Sequence, residues 1–340
     1  MKVALIAIAL ALSVPAFANE PVAASYLDSS GRADQLTGGV RMISIETPAG
    51  PFRVWTKRVG NNPRIKVLLL HGGPGATHEY FEAFDGYLPA AGIEYYYYDQ
   101  LGSAYSDQPD APQLWNVPRF VDEVEQVRKA LGLDKDDFYL LGQSWGGILA
   151  LEYALRYQQH LKGLVISNMV SSAKAYNAYA HDVLMPMMDP KALAEIERLE
   201  ASGDTENPRY MELLVPQFYV QHILRMPPEQ WPDPVNRAFG HINRKVYVPM
   251  QGPSEMGLTG TLSDWDRTAD LPKITVPTLM IGARYDTMDP KAMEKMSKLV
   301  PNGRYLFCPN GSHLAIYDDQ KIYMDGVIRF LLDVDTKAFP

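Results

Sequence analysis

The chain has 340 residues, of which 46% are hydrophobic and 21% are charged, so it has enough apolar surface to form a core. Its 32 basic and 40 acidic side chains give a net charge of −8, and no basic run occurs, which argues against nucleic acid as a partner. The single cysteine, Cys308, excludes an intramolecular disulfide, and its apolar neighbours predict a buried, unreactive thiol.

The amino-terminal segment has the pattern of an export signal. One lysine precedes an unbroken apolar run, and AFA at 16–18 matches the small-x-small pattern of a cleavage site. A transmembrane anchor is the alternative, but the run is short for a bilayer span. We therefore predict that residues 1–18 are a signal peptide. The mature chain then starts at Asn19, is periplasmic or secreted, and has no membrane association.

Strand and helix patterns alternate from about residue 36 and predict a mainly parallel sheet with helices on both faces. The alternation stops near residue 168 and resumes near 271, which predicts an α/β core at 36–168 and 271–335 and an all-helical cap at 169–270. The predicted strands are 40–46, 52–59, 66–71, 93–99, 137–142, 161–167, 276–282 and 304–308. The predicted helices are 78–91, 117–131, 144–157, 191–201 (in the cap), 290–299 and 317–332.

A GxSxG motif stands between a predicted strand and a predicted helix. Ser144 lies in GQSWG at 142–146, directly after an apolar strand and before an apolar helical segment. This is the setting of a nucleophile elbow, in which a tight turn lifts the serine to the sheet edge at the positive end of a helix. A serine that only caps the helix is the alternative. The context favours Ser144 as a nucleophile.

A serine nucleophile needs a base and an acid that orients the base, and candidates for both follow Ser144 in the chain. Asp286 and His313 each come just after a predicted strand of the core. Open α/β sheets place their sites at the carboxyl ends of parallel strands, and the order Ser, Asp, His is typical of hydrolases with this elbow. We predict these three residues as a catalytic triad. Asp289 and Asp264 are alternative acids, although Asp289 fits more simply as a helix N-cap.

The segment HGGPG at 71–75 directly follows a buried strand and predicts half of an oxyanion hole. Glycines there allow backbone N–H groups to point at a developing negative charge. We favour Gly73 as this donor, with Gly72 as the alternative, and the N–H of Trp145 as the second donor. The chain has no phosphate-loop motif, no HExxH and no cysteine pair, so we predict neither a metal nor a cofactor.

Several further motifs accompany GxSxG. They are HGGPG at 71–75, YDQLG at 98–102 with SD at 106–107, GQSWGG at 142–147, LALEYALRY at 149–157, GPSE at 252–255 and TGTLSDWD at 259–266. Through them, from about residue 38 to 333, the chain resembles the prolyl aminopeptidases (proline iminopeptidases) of the α/β-hydrolase fold. The resemblance implies an α/β-hydrolase core with an inserted helical cap. It also implies hydrolysis of a small residue, often proline, from a free amino end.

The resemblance further implies a carboxylate that binds the substrate ammonium group. It places this glutamate in GPSE, at Glu255, and a charge-assisted hydrogen bond is the interaction expected there. A solvated surface glutamate is the alternative. Many relatives carry a second glutamate directly after the catalytic aspartate, where this chain has Thr287. A threonine can accept a hydrogen bond but carries no charge, so the difference bears on both strict exopeptidase behaviour and preference for proline.

These residues predict a serine hydrolase that removes an amino-terminal residue from small peptides or amino-acid amides through an acyl-enzyme. The family resemblance implies that this residue is proline. A carboxylesterase or general amidase with the same triad is the alternative, because fold and triad do not fix the substrate. A binding protein on a hydrolase scaffold is the alternative from another class, and the complete triad argues against it.

Overall fold

The computed structural model describes residues 39–339, so the predicted signal peptide lies outside the described residues. Its centre is an eight-stranded sheet in the order β1-β2-β4-β3-β5-β6-β7-β8. β2 pairs antiparallel with β1 and β4, and all the other neighbours are parallel, which confirms the predicted mainly parallel α/β fold. The strands are β1 Val40–Thr47, β2 Gly50–Val59, β3 Lys66–Leu70, β4 Glu94–Asp99, β5 Phe138–Gln143, β6 Gly163–Ser167, β7 Thr278–Ala283 and β8 Gly303–Cys308.

The central strands β3, β4, β5 and β6 are buried along almost their whole length because helices cover both faces of the sheet. Leu68 and Leu70 of β3 belong to one buried cluster, whereas Val67 and Leu69 belong to a second cluster. Successive side chains of a strand point to opposite faces, so the two clusters are the two sides of the core. All four of these side chains are fully buried.

The register of the parallel strands brings their carboxyl ends to one edge of the sheet. Leu70 at the end of β3 pairs with Gly142, and Gln143 at the end of β5 pairs with Ser167 at the end of β6. Ser167 in turn pairs with Ile281 of β7. The loops that follow β3, β5, β6 and β7 therefore meet above one edge.

The α-helices flank the sheet or lie between β6 and β7. They are α1 Val117–Leu131, α2 Trp145–Tyr157, α3 Ala173–Tyr179, α4 Pro190–Ala201, α5 Pro208–Leu214, α6 Val220–His222, α7 Asp233–Gly240, α8 Arg244–Met250, α9 Pro290–Leu299, α10 Ala315–Asp318 and α11 Gln320–Asp335. Segments of 3-10 helix are His78–Gly86, Pro112–Leu114, Gln158–His160, Met185–Met187, Pro228–Gln230 and Thr268–Lys273, and segments of π-helix are Ala180–Leu184 and Val215–Tyr219.

Two predicted helices differ from the observed ones. The segment predicted as a helix over 78–91 is a 3-10 helix that ends at Gly86. It buries Phe81 and Phe84, which lie three residues apart and so share one face of a 3-10 helix. The segment predicted as one helix over 317–332 is broken at Asp319, whose carboxylate accepts a hydrogen bond from the Asn310 N–H.

Residues 169–270 connect β6 to β7 through helices and loops, with one isolated bridge between Ser172 and Asp266. Their helices α7 and α8 lie over the edge where the strand ends meet, since side chains of both line the cavity above Ser144. Among residues 39–339, none of the helices combines the length and hydropathy needed to span a bilayer. Cys308 is buried, as predicted, and burial raises the pKa of its thiol.

Candidate active site

Ser144 occupies a strained turn between β5 and α2, with φ 58° and ψ −127°. Few residues other than glycine adopt a positive φ. Two glycines make room for the turn. A Cβ on Gly142 would lie 1.9 Å from the Gly146 carbonyl oxygen, and a Cβ on Gly146 would lie 2.0 Å from the Leu70 carbonyl oxygen. This is the geometry of a nucleophile elbow, and Ser144 faces a cavity above it.

The structure brings Asp286 and His313 together. Asp286 follows β7 and His313 follows β8, and His313 Nδ1 lies 2.8 Å from Asp286 Oδ1. Both side chains are buried, and His313 lines the same cavity as Ser144. Burial opposes protonation of the imidazole, but the charge and hydrogen bond of Asp286 outweigh it, so the pKa of His313 is raised. Since Nδ1 binds Asp286, Nε2 is the ring nitrogen left for proton exchange with a nucleophile.

Asp286 is held by several donors besides His313. Asn168 Nδ2 donates to Asp286 Oδ2 at 2.7 Å, and the Met288 N–H donates to Oδ1 at 3.2 Å. Thr287 Oγ1 also donates to Oδ1 at 3.3 Å and lies 3.2 Å from His313 Nδ1. Thr287 thus contacts both members of the pair through its hydroxyl group. These hydrogen bonds hold the Asp286 carboxylate in place beside the imidazole.

Of the alternative acids, neither is placed to orient His313. Asp289 caps α9, and its carboxylate accepts a hydrogen bond from the Lys291 N–H at 2.9 Å. Asp264 is exposed to solvent.

The loop after β3 distinguishes the two candidate oxyanion donors. The Gly72 N–H donates to the hydroxyl of Tyr80 at 2.7 Å, so it is already engaged. Gly73 lines the cavity and has φ 108°, and a Cβ there would lie 2.6 Å from the Ala76 nitrogen. Trp145 is the first residue of α2, so its N–H has no intrahelical acceptor. The arrangement favours the N–H groups of Gly73 and Trp145 as the pair.

The imidazole of His71 is neutral and holds this loop in place through hydrogen bonds. Burial lowers the pKa of His71 to about 4. The Gln100 N–H donates to His71 Nε2 at 3.1 Å, so the proton is on Nδ1, which donates to the Gly72 carbonyl at 2.9 Å. The Gln100 side chain in turn accepts a hydrogen bond from the Trp145 indole at 2.8 Å. One buried network therefore connects both halves of the candidate oxyanion hole.

Glu255 lies in the loop after α8 and lines the same cavity as Ser144 and His313. It is half-buried, and its Oε1 accepts a hydrogen bond from Tyr247 at 2.6 Å. Its backbone carbonyl accepts one from Tyr176, also at 2.6 Å. Burial raises the pKa of the Glu255 carboxyl, while His313 and Tyr247 oppose the shift. A carboxylate in this position suits a ligand cation that replaces the lost hydration.

Sequence reasoning missed Asn168, which follows β6 with φ 52°. Its side-chain nitrogen donates both to Asp286 and, at 3.2 Å, to the carbonyl of Ser312, the residue before His313. Asn168 therefore joins the loops that carry the acid and the base. Its position directly after a predicted strand was the available signal. In the part of the chain that the structure describes, no group of three or more His, Cys, Asp or Glu side chains is arranged to hold a metal ion.

Comparison with known proteins places this site in a family. The family model described as alpha/beta hydrolase fold matches residues 66–320. The chain is 62% identical to the proline iminopeptidase of Flavobacterium johnsoniae over 296 residues, which are 87% of this chain and 99% of that protein.

Solved structures agree. The crystal structure of VinJ matches with a TM-score of 0.80 and 31% identity, covering 86% of this chain and 99% of VinJ. The proline iminopeptidase of Mycobacterium smegmatis matches with a TM-score of 0.74 and 30% identity, covering 87% and 99% of the two chains. These similarities confirm the resemblance drawn from the motifs: the chain belongs to the proline iminopeptidase family of the α/β-hydrolase fold.

Proposed function

We propose that this protein is a serine aminopeptidase that removes amino-terminal proline from small peptides or amino-acid amides. The observation that carries the proposal is the presence of Glu255 in one cavity with Ser144 and His313. A nucleophile and base hydrolyse many acyl compounds, but a carboxylate beside them selects substrates that carry a positive charge next to the reacting carbonyl. A peptide with a free amino end has that charge.

In the proposed mechanism, Ser144 Oγ attacks the carbonyl carbon of the first residue while His313 Nε2 takes its proton. The carbonyl oxygen becomes an oxyanion and accepts hydrogen bonds from the N–H groups of Gly73 and Trp145. His313 then gives the proton to the leaving amine, and the peptide bond breaks. Asp286 holds the imidazole tautomer and stabilises its cation throughout.

The acyl-enzyme is then hydrolysed by the same groups. A water molecule gives a proton to His313 Nε2 and attacks the ester carbonyl, and Ser144 leaves with that proton. Glu255 binds the substrate ammonium in both half-reactions, which keeps the reacting carbonyl over Ser144. Ser144 and His313 thus carry all the proton transfers with the substrate and water, and the chemistry calls for no cofactor.

The first test compares proline p-nitroanilide with its N-acetylated and alanyl analogues. We expect cleavage to require the free amine and to favour proline. The Glu255→Gln variant should raise KM for proline p-nitroanilide by about tenfold or more, since an amide loses the charge-assisted bond to ammonium. Glu212→Gln is the matched control, because Glu212 is an exposed glutamate on α5 that does not line the catalytic cavity.

Other results would change the proposed specificity or the proposed activity. Preference for alanine would keep the aminopeptidase activity and change its specificity. Equal cleavage of the acetylated compound, with no effect of Glu255→Gln, would contradict the ammonium site and favour the carboxylesterase or general amidase.

We also propose that the protein acts outside the cytoplasm, after removal of residues 1–18. The support is the lysine, the apolar run and the AFA pattern at 16–18. Fractionation of cells that express the full chain, followed by amino-terminal sequencing, tests this. A mature chain that begins at Asn19 outside the cytoplasm is the expected result, and a cytoplasmic chain that begins at Met1 would contradict it.

A further inference from the structure

A second opening lies in the cap, next to the cavity that holds Ser144. This cap cleft has a volume of about 400 Å³ and lies between α5, the segment after it, α7 and α8. Its walls are mainly apolar and aromatic, with Trp231 and Phe239 in contact at 5.6 Å between ring centroids. We define it by Val215, Tyr219, Trp231, Phe239 and Arg244 on its walls and by Glu255 at its inner end.

The cap cleft and the catalytic cavity are continuous. Phe239, Ile242, Tyr247 and Glu255 line both. Apart from Gly73, the lining residues of the catalytic cavity that are not buried are Phe239, Ile242 and Glu255, and all three belong also to the cleft. The catalytic cavity is therefore exposed mainly where it meets the cap cleft. A substrate held at Ser144 extends toward solvent along this route.

The charges of the cap cleft have opposite signs. Among the described residues that line it, the charged ones are Glu255 at the inner end and Arg244 on the wall. Arg244 Nε donates to the exposed Glu206 at 2.5 Å, but its Nη2 is buried and has no hydrogen-bond partner in the described chain. A buried donor without an acceptor is costly, so this nitrogen is suited to a ligand oxygen.

We propose that the cap cleft binds the second residue of the substrate and that Arg244 recognises the free α-carboxylate of a prolyl dipeptide. This inference rests on the proposed function. A dipeptide carries an ammonium group at one end and a carboxylate at the other, which matches the opposite charges of Glu255 and Arg244. The aromatic walls suit an apolar side chain on its second residue. A guanidinium group is also the side chain best suited to bind a carboxylate.

The test compares prolyl-leucine with prolyl-leucine amide, which differ only at the carboxyl end. For the wild-type enzyme we expect kcat/KM to be about tenfold or more higher for the free carboxylate, mainly through KM. The Arg244→Gln variant should reduce this preference to less than about twofold, and Arg244→Lys should retain part of it. Arg209→Gln is the matched control, because Arg209 pairs with Glu195 on the cap surface outside the cleft, and it should keep the wild-type preference.

Failure of this proposal is distinguishable from failure of the proposed function, since proline p-nitroanilide has no carboxylate. Cleavage of proline p-nitroanilide without any preference between the two dipeptides, or a preference that survives Arg244→Gln, would overturn the role of Arg244. If proline p-nitroanilide is not cleaved, calorimetric titration of the Ser144→Ala variant with both dipeptides decides. Tighter binding of the free acid supports the site, and equal or absent binding overturns it.

Discussion

Two residues of the site, Ser144 and Asn168, have a positive φ, a backbone conformation that residues other than glycine rarely adopt. Each such conformation costs about 1–3 kcal/mol and persists only where the surroundings impose it. The Ser144 N–H donates to the Ser167 carbonyl at 3.0 Å, and the Asn168 N–H donates to the Ile281 carbonyl at 2.9 Å. Backbone bonds to neighbouring strands therefore hold both residues, which places the strain at the reacting centre.

The raised pKa of His313 predicts the acid side of the pH–rate profile. The base must be neutral to take the serine proton, so kcat/KM, which reports the pKa values of the free enzyme, should fall as the pH drops through a value above the ordinary histidine pKa of 6.5. Asp286→Asn should lower kcat by a factor on the order of 10⁴ and move this limb to lower pH, since burial then acts on His313 without the opposing charge. The measurement is kcat and kcat/KM for proline p-nitroanilide between pH 4 and about 9, a range that spans this pKa.

Asp289→Asn is the control for this prediction, because asparagine caps a helix as well as aspartate does. Its acid limb should coincide with that of the wild-type enzyme. A rate that stays flat down to pH 4 would contradict the assignment of His313 as the base.

How much of the site could be predicted differs from residue to residue. Ser144, Asp286 and His313 each follow a strand, so chain order and the topology of parallel sheets suffice to suggest them. Asn168 also follows a strand, but its role depends on loops after β7 and β8 that are more than a hundred residues away along the chain. Glu255 lies in an irregular loop, and only resemblance to a family indicated it.

At the scale of elements, the elbow between β5 and α2 depends on how closely the backbone of α2 approaches β3. Gly146 packs so that a Cβ would lie 2.0 Å from the Leu70 carbonyl oxygen and 2.9 Å from that of His71. Neither atom can move without disturbing the sheet or the candidate oxyanion loop. A side chain here therefore changes both the packing of the core and the position of Gly73.

We expect Gly146→Ala to lower the free energy of unfolding by about 3 kcal/mol or more, since overpacked cores shift backbone. Activity toward proline p-nitroanilide should fall further than stability alone explains, because the oxyanion donors move. Urea unfolding and steady-state kinetics on the same preparation measure both effects. Gly86→Ala is the control, as a Cβ there meets nothing within 4 Å, and near-equal behaviour of the two variants would show the prediction to be wrong.

The strands were easier to predict than the helices for a physical reason. A strand buried on both faces is a short apolar run, and β3, β5 and β6 are such runs. The segment from His78 mixes apolar and charged residues and was predicted as a helix, but it is a 3-10 helix whose Phe81 and Phe84 pack in the same buried cluster as side chains of the sheet. The local sequence pattern does not reveal this tertiary contact. The type of this helix and the residue at which it ends therefore could not be predicted from the sequence.

At the scale of the whole molecule, one cluster of charges joins the cap to the core. Arg237 of α7 donates to Glu79 at 2.6 Å and to Glu82 at 2.7 Å, both in the 3-10 helix of the core. His241 also bonds Glu79, at 2.8 Å. Burial opposes ionisation of Glu79, yet the bonds from His241, Thr77 and Arg237 outweigh it and lower its pKa. The cluster positions α7, whose residues line both the catalytic cavity and the cap cleft.

Arg237→Met should therefore affect stability and substrate binding together. Glu79 is 2% exposed, so loss of its partner leaves a poorly compensated buried carboxylate and should reduce the free energy of unfolding by about 1–3 kcal/mol. We expect KM for proline p-nitroanilide to rise more than kcat falls, since α7 shapes the cavity but supplies no reacting group. Lys245→Met is the matched control, because Lys245 forms an exposed pair with Asp110 that contributes about 0–1 kcal/mol. Equal stability and equal KM in the two variants would mean that the charge cluster does not hold the cap in place.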